Sequence, residues 1–368
     1  MTRIPFIKAS FAASDETIAD VQDRFVEHLR KLRSPPDDPP PEGADAESQQ
    51  LRMAITRHNF RGRLPKADVA KIKARAGRIV AARAAASGLS HLKPDEVERL
   101  SVLRQGVRLT AIQSEDQADE IAAQLHQEMP WMAPATELVW HAMRRSAFDG
   151  EIGFRLPPML LNGPPGIGKT RWATRLGELL DVPSLRIDAS GEGASFGIAG
   201  LQRGWGSAGP GRILETVLNS LTGNPLIIID EVEKAGIQSS TKGSTHGLTD
   251  ALLPLLERST AMAWSCPYFR VTLDMSWLSF ILLANNIDRL PDPLLSRCSV
   301  VNLPALSVNE LRSFAKQEGS RRGLSEASLA AVDSALSATE KMLGQASLRT
   351  VIRLLERAEV LERRPMLS

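Results

Sequence analysis

Cysteine is almost missing from this chain of 368 residues: Cys266 and Cys298 are the only two. That excludes a disulfide framework, and their separation gives no C-x-x-C metal spacing. Two small apolar groups packed in a reducing cytoplasm are expected. No apolar run reaches the length of a membrane-spanning helix, and the opening Met1-Thr2-Arg3-Ile4-Pro5 lacks the hydrophobic stretch of a secretory signal. A cytoplasmic protein with no membrane partner is the expectation. Net charge is scarce too: 45 Lys and Arg against 43 Asp and Glu leave +2, too little to imply a polyanion partner for the whole molecule. There is no repeat of solenoid period and no His-Glu-x-x-His zinc site, and the six histidines are scattered. With 43% hydrophobic residues, what remains is an ordinary globular chain with room for two or three domains.

Helical and extended signals divide it. Residues 1–33 end in an amphipathic helix that places Ile18, Val21, Phe25, Leu29 and Leu32 on one stripe, with acids in its first turn and bases in its last. Residues 34–48 contain the prolines of a linker, since proline withholds the N–H donors a helix needs. Residues 49–129 read as a further helical region. Its first half crowds Arg52, Arg57, Arg61, Arg63, Lys66, Lys71, Lys73, Arg75, Arg78 and Arg83 against the single acid Asp68. A solvated helix face explains that run, and nucleic acid bound through 52–83 is the alternative. Residues 130–304 alternate short apolar runs with helical segments, the pattern of a parallel sheet covered by helices on both faces. The predicted strands are Leu160-Leu161, 185–187, 226–229 and 280–283. Residues 305–368 turn helical again, with stripes at Leu329, Val332, Leu336 and at Leu348, Val351, Ile352, Leu355, and form a small helical lid.

The chemistry is concentrated in the fourth of these segments. Gly163-Pro164-Pro165-Gly166-Ile167-Gly168-Lys169-Thr170 is a complete G-x-x-x-x-G-K-S/T loop between an apolar run and a helix-like stretch. Its glycines let successive backbone N–H groups turn toward phosphates, and the following helix adds its positive end. Lys169 is placed to reach the β- and γ-phosphates of a nucleotide, and the Thr170 hydroxyl to ligate Mg²⁺. Downstream, Leu226-Ile227-Ile228-Ile229-Asp230-Glu231 is a buried strand ending in two carboxylates. Ligands of open α/β sheets gather at the carboxyl ends of strands. Asp230 is expected to hold Mg²⁺ through its water shell, and Glu231 to orient or deprotonate the water that attacks the γ-phosphate.

The order of Gly163 to Thr170, Asp230-Glu231, Ala284-Asn285 and Leu295-Ser296-Arg297 resembles an AAA+ ATPase, with the first two as its Walker A and Walker B motifs. The stretch from Gly200 through Gln202-Arg203-Gly204-Trp205-Gly206 to Gly209-Pro210-Gly211-Arg212-Ile213 is similar to one that Lon proteases carry between those motifs, and the likeness continues to about residue 360. The resemblance implies a P-loop AAA+ fold with a C-terminal lid and an N-terminal helical region. It makes Asn285 the sensor that holds the attacking water or the γ-phosphate, with Asn286 beside it as competitor. It makes Arg297 the arginine finger delivered across a subunit boundary, and Trp205 the pore-loop aromatic that grips a polypeptide. Ser347-Leu348-Arg349 stands where Lon-type lids have Gly-x-Arg, so Arg349 becomes the second sensor, in a serine form similar to that of clamp loaders.

The helical pattern runs out near Arg364, which leaves no room for a serine–lysine protease domain. The expectation is therefore a Lon-like ATPase module without its protease. It would work as a homo-oligomeric ring, a hexamer by resemblance, that remodels or unfolds a protein client, with a separate peptidase as a possible partner to feed. A nucleotide-switched clamp or scaffold on nucleic acid is the alternative.

Overall fold

The computed structural model describes residues 2–11, 17–33, 55, 58–60, 64–191, 194–203, 208–235, 247–343 and 347–363. The predicted linker 34–48, Trp205, and Arg52, Arg57, Arg61 and Arg63 of the basic run lie outside them. Two compact units are present, one of residues 7–104 and one that combines residues 1–6 with 105–368. The run read as 49–129 thus contributes to both.

In the first unit, α1 (Ile18–Arg33) packs on α2 (Lys66–Ala86), and α3 (Pro94–Ser101) follows. Val21 and Val26 of α1 and Ile72 and Ala76 of α2 are buried, while Ile18 and Leu32, the ends of the predicted stripe, are exposed. Arg33 bonds Asp68 at 2.7 Å, and the Arg75 guanidinium lies 5.3 Å from the Phe25 ring centroid.

The second unit opens with a two-stranded antiparallel ribbon, β1 (Arg3–Ile4) on β2 (Val107–Arg108). Then come α4 (Glu115–Glu128), α5 (Ala133–Phe148), β3 (Met159–Asn162), α6 (Lys169–Leu179), β4 (Ser184–Asp188), α7 (Ala194–Ala199), α8 (Arg212–Ser220) and β5 (Leu226–Asp230). They are followed by α9 (Leu248–Leu256), α10 (Arg258–Ala261), the hairpin strands β6 (Trp264–Ser265) and β7 (Thr272–Leu273), β8 (Ser279–Ala284), α11 (Asp292–Leu295) and β9 (Ser299–Asn302). Three helices close the chain: α12 (Val308–Arg321), α13 (Glu326–Leu343) and α14 (Leu348–Glu362).

The main sheet has the order β4-β5-β8-β3-β9, and every neighbouring pair is parallel. Helices cover both faces of such a sheet, so β5 and β8 are buried along their whole length and read as unbroken apolar runs. Each fully buried Leu or Ile contributes about 1.5–3 kcal/mol. The four predicted strands are all present. The fifth, β9, escaped prediction because it is an edge strand in which only Val301 is buried, which leaves no apolar run to read.

One core packs Trp172 and Leu176 of α6 against Leu161, Ile228 and Leu283 of the sheet and against Leu125, Val139 and Met143 of α4 and α5. The Trp172 indole N–H donates to Thr136 Oγ1 at 3.0 Å, so its burial leaves no donor unpaired. Asn224 pins the chain ahead of β3, donating from Nδ2 to the carbonyls of Thr110 (2.7 Å) and Phe154 (2.8 Å). A second core joins the predicted stripe residues Val332 and Leu336 of α13 and Leu348, Val351 and Leu355 of α14 to Leu311 and Phe314 of α12. Among the described residues no helix is long and apolar enough to cross a membrane.

Candidate functional site

Parallel pairing brings all strand carboxyl ends to one edge. There Asn162 lies in register with Ala284, and Asp188 with Asp230. The phosphate-type loop leaves β3 at this edge and enters α6 at Lys169. Gly166 and Gly168 adopt φ of +82° and +95°, a region that L side chains avoid. A Cβ on Gly166 would lie 2.9 Å from Ser347 Cβ, and one on Gly168 would lie 3.1 Å from Leu348 Cδ1. The lid therefore rests directly on the loop, and the Leu348 N–H donates to the Gly166 carbonyl at 3.1 Å. From the other side the Trp131 indole N–H donates to the Ile167 carbonyl at 2.8 Å.

Direct hydrogen bonds join seven of the predicted residues. The buried Lys169 ammonium donates to the carbonyls of Gly163 (2.5 Å) and Pro164 (3.0 Å) and to Asn285 Oδ1 (3.0 Å). Thr170 Oγ1 donates to Asp230 Oδ2 at 3.0 Å, and Asp230 Oδ1 accepts from the Glu231 N–H at 3.0 Å. Burial pulls the Lys169 pKa below the ordinary lysine value; Glu233 and Asp230 oppose this by favouring the charged form, and nearby Arg349 adds to the lowering. Arg349, from the first turn of α14, thus acts electrostatically on the loop lysine.

Several remaining predicted side chains have other partners. Glu231 has the left-handed φ of +54° and its carboxylate pairs with Lys234 at 2.8 Å. Asn286 caps the short turn Ile287–Arg289 by accepting from the Asp288 N–H, so Asn285 alone faces Lys169. Arg297 follows α11, donates to the Pro293 carbonyl at 2.9 Å and pairs with Glu257 at 3.5 Å. Gly200 bridges Pro210 and the Leu201 N–H donates to the Gly209 carbonyl at 2.9 Å, while Trp205 lies outside the described residues. Lys66, Lys71, Lys73, Arg75, Arg78 and Arg83 are exposed on α2. Burial raises both thiol pKa values, that of Cys298 to about 12, so neither cysteine is a ready thiolate.

Sequence reasoning missed three residues here. Arg186 of β4 donates to Asp230 Oδ2 at 2.7 Å, Glu233 binds Asn285, and Trp131 holds the loop from below. Glu233 stands two residues after the acid pair, which was a weak signal; an isolated Arg and an isolated Trp gave none. Beside Thr170 and Arg186 a cavity of about 840 Å³ opens toward Phe314, Gln317, Glu318 and Arg321 of the lid.

A family model described as "ATPase family associated with various cellular activities (AAA)" matches residues 159–304. The chain is similar to the Lon protease of Helicobacter pylori, at 32% identity over 154 residues, 42% of this chain and 18% of that protein. It is 30% identical over 203 residues to the Lon protease of Desulfovibrio desulfuricans, 55% of this chain and 22% of that protein. Against a mitochondrial Lon protease homolog of Schizosaccharomyces pombe the identity is 34% over 180 residues, 49% of this chain and 16% of that protein. The chain thus spans less than a quarter of the length of each of these relatives.

Proposed function

Residues 159–304 are an AAA ATPase domain, and on that premise we propose that the protein hydrolyses Mg-ATP in a ring of identical subunits, a hexamer by resemblance, to pull on or unfold a protein client. One observation carries the reading: hydrogen bonds tie Lys169 to Asn285 and Thr170 to Asp230, joining the start of α6 to the carboxyl ends of β8 and β5. A separate peptidase is a partner this activity would serve.

The residues present fit a triphosphate and its metal ion. Gly166 and Gly168 hold the loop in a form that side chains would strain, and the start of α6 faces the same space. The Thr170 hydroxyl and the Asp230 carboxylate supply the hard oxygens that would hold Mg²⁺, which when bound would neutralise charge on the phosphates. Lys169 would exchange a carbonyl partner for a phosphate oxygen. Glu231 would take a proton from the attacking water as its oxygen bonds the γ-phosphorus, and the bond to the bridging oxygen breaks to leave ADP and inorganic phosphate. Asn285 would position that water or the γ-phosphate, and Arg349 would report the bound nucleotide to the lid. Trp205 would grip the client.

Arg297 would serve the site of the neighbouring subunit. Its pairing with Glu257 is partly exposed and so worth at most about 1 kcal/mol, which makes its release inexpensive. Mixing subunits that carry Lys169→Ala with subunits that carry Arg297→Ala tests this. Each variant alone should be inactive, and the mixture should regain ATP hydrolysis at junctions that combine an intact loop with an intact arginine. No recovery in demonstrably mixed rings would rule out delivery across the boundary.

The exposed cationic side of α2 favours a second reading, a nucleotide-switched clamp on nucleic acid. Binding that weakens steeply with added salt would support it, and no binding at low salt would remove it.

A further inference from the structure

Glu233 has no part in the steps above, yet it makes two hydrogen bonds to one residue of the site. It stands on the short turn Val232–Lys234 that follows β5. Its Oε1 accepts both from the Asn285 backbone N–H at 3.1 Å and from the Asn285 side-chain Nδ2 at 2.8 Å. Its Oε2 is buried and makes no hydrogen bond among the described residues.

An asparagine amide has a donating and an accepting end, and two orientations of nearly equal shape. Here its neighbours decide between them. An ionised carboxylate can only accept, so Nδ2 turns to Glu233, and an ammonium can only donate, so Oδ1 turns to Lys169, 3.0 Å away. A flipped amide would set oxygen against oxygen on one side and two donors against each other on the other. Lys169 alone would leave the rest of the side chain free to swing, because its ammonium has two other acceptors, the carbonyls of Gly163 and Pro164. Glu233 makes two contacts with one residue, to its backbone and to its side chain, and so fixes both the end of β8 and the amide beyond it.

We propose that Glu233 is the positioning residue that locks the Asn285 amide with Oδ1 toward Lys169, and that ATP turnover depends on this lock rather than on a proton carried by Glu233. The inference rests on the reading of Asn285 as part of the hydrolytic site.

A mutant cycle tests it. Removing the side chain in Glu233→Ala should lower kcat by on the order of 10²-fold, as misplacement of a reacting group does, with a much smaller change in KM for ATP. Glu233→Gln, which keeps an accepting Oε1, should restore most of that turnover. The double variant Glu233→Ala/Asn285→Ala should be no slower than Asn285→Ala alone, because the two residues act as one unit. Glu233→Gln as slow as Glu233→Ala would show that the charge is required and overturn the proposal, and so would additive losses in the double variant. If the unmodified protein fails to hydrolyse ATP, the parent reading falls, and a crystal structure of Glu233→Ala still decides this one. Asn285 Oδ1 should then leave Lys169, and an unchanged contact would refute the lock.

Discussion

Trp131 meets Phe314 edge to face, with ring centroids 5.9 Å apart and planes at 87°. The same indole donates to the Ile167 carbonyl in the glycine-rich loop at 2.8 Å. One side chain ahead of α5 therefore ties the loop to the first helix of the lid.

Trp131→Phe keeps most of the ring contact with Phe314 and loses the bond to Ile167. A cost of about 1 kcal/mol is expected, the net worth of one hydrogen bond. Trp131→Ala should cost about 3 kcal/mol or more by opening a cavity between the two cores. Denaturant midpoints of the three proteins check the order, and nucleotide affinity should fall in the same order.

Gly166→Ala should destabilise the contact between loop and lid in two separable ways. Holding alanine at φ +82° costs about 1–2 kcal/mol. The new Cβ also meets Ser347 Cβ at 2.9 Å. Ser347→Gly should relieve the second effect and leave the first. Its own loss of the cap on α14 costs only a few tenths of a kcal/mol. Thermal unfolding of the single and double variants measures both; a double variant no more stable than Gly166→Ala would show that the steric contact is not felt.

Glu318 gives the lid a pH dependence. Hydrogen bonds from Arg321 (2.8 Å) and Arg322 (2.9 Å) hold its carboxyl at about 2, against an ordinary value of 4.5. A depressed acid contributes stability that is complete above its unfolded value and is lost as pH falls through its folded value. Stability should therefore decline between about pH 4.5 and about 2, and Glu318→Gln should flatten that part of the profile. Parallel profiles for the two proteins would contradict the assignment.

Legibility in the sequence followed how each signal is encoded. β5 and β8 were readable because central parallel strands are apolar throughout, and β9 was not because an edge strand buries one residue in four. The glycine-rich loop and the acid pair were readable because phosphate binding constrains contiguous residues. The boundary between residues 104 and 105, which divides the run 49–129, gave no strong signal, although α4 beyond it packs in the core of the sheet. Trp131 and Arg186 were silent, and Glu233 gave only a weak signal, for a common reason. Each acts through a partner distant in sequence, Ile167, Asp230 and Asn285 respectively, and only the folded register of the strands brings these together.

The central claim is that this edge of the sheet hydrolyses ATP with Glu231 as the group that takes the proton from water. Phosphate release and nucleotide binding, measured on the unmodified protein and on Glu231→Gln with Mg-ATP, test it most directly. Binding should persist in the variant while turnover falls by about 10²-fold or more, the usual worth of a positioned general base. Equal turnover in the two proteins, or no phosphate release from either, would contradict the account.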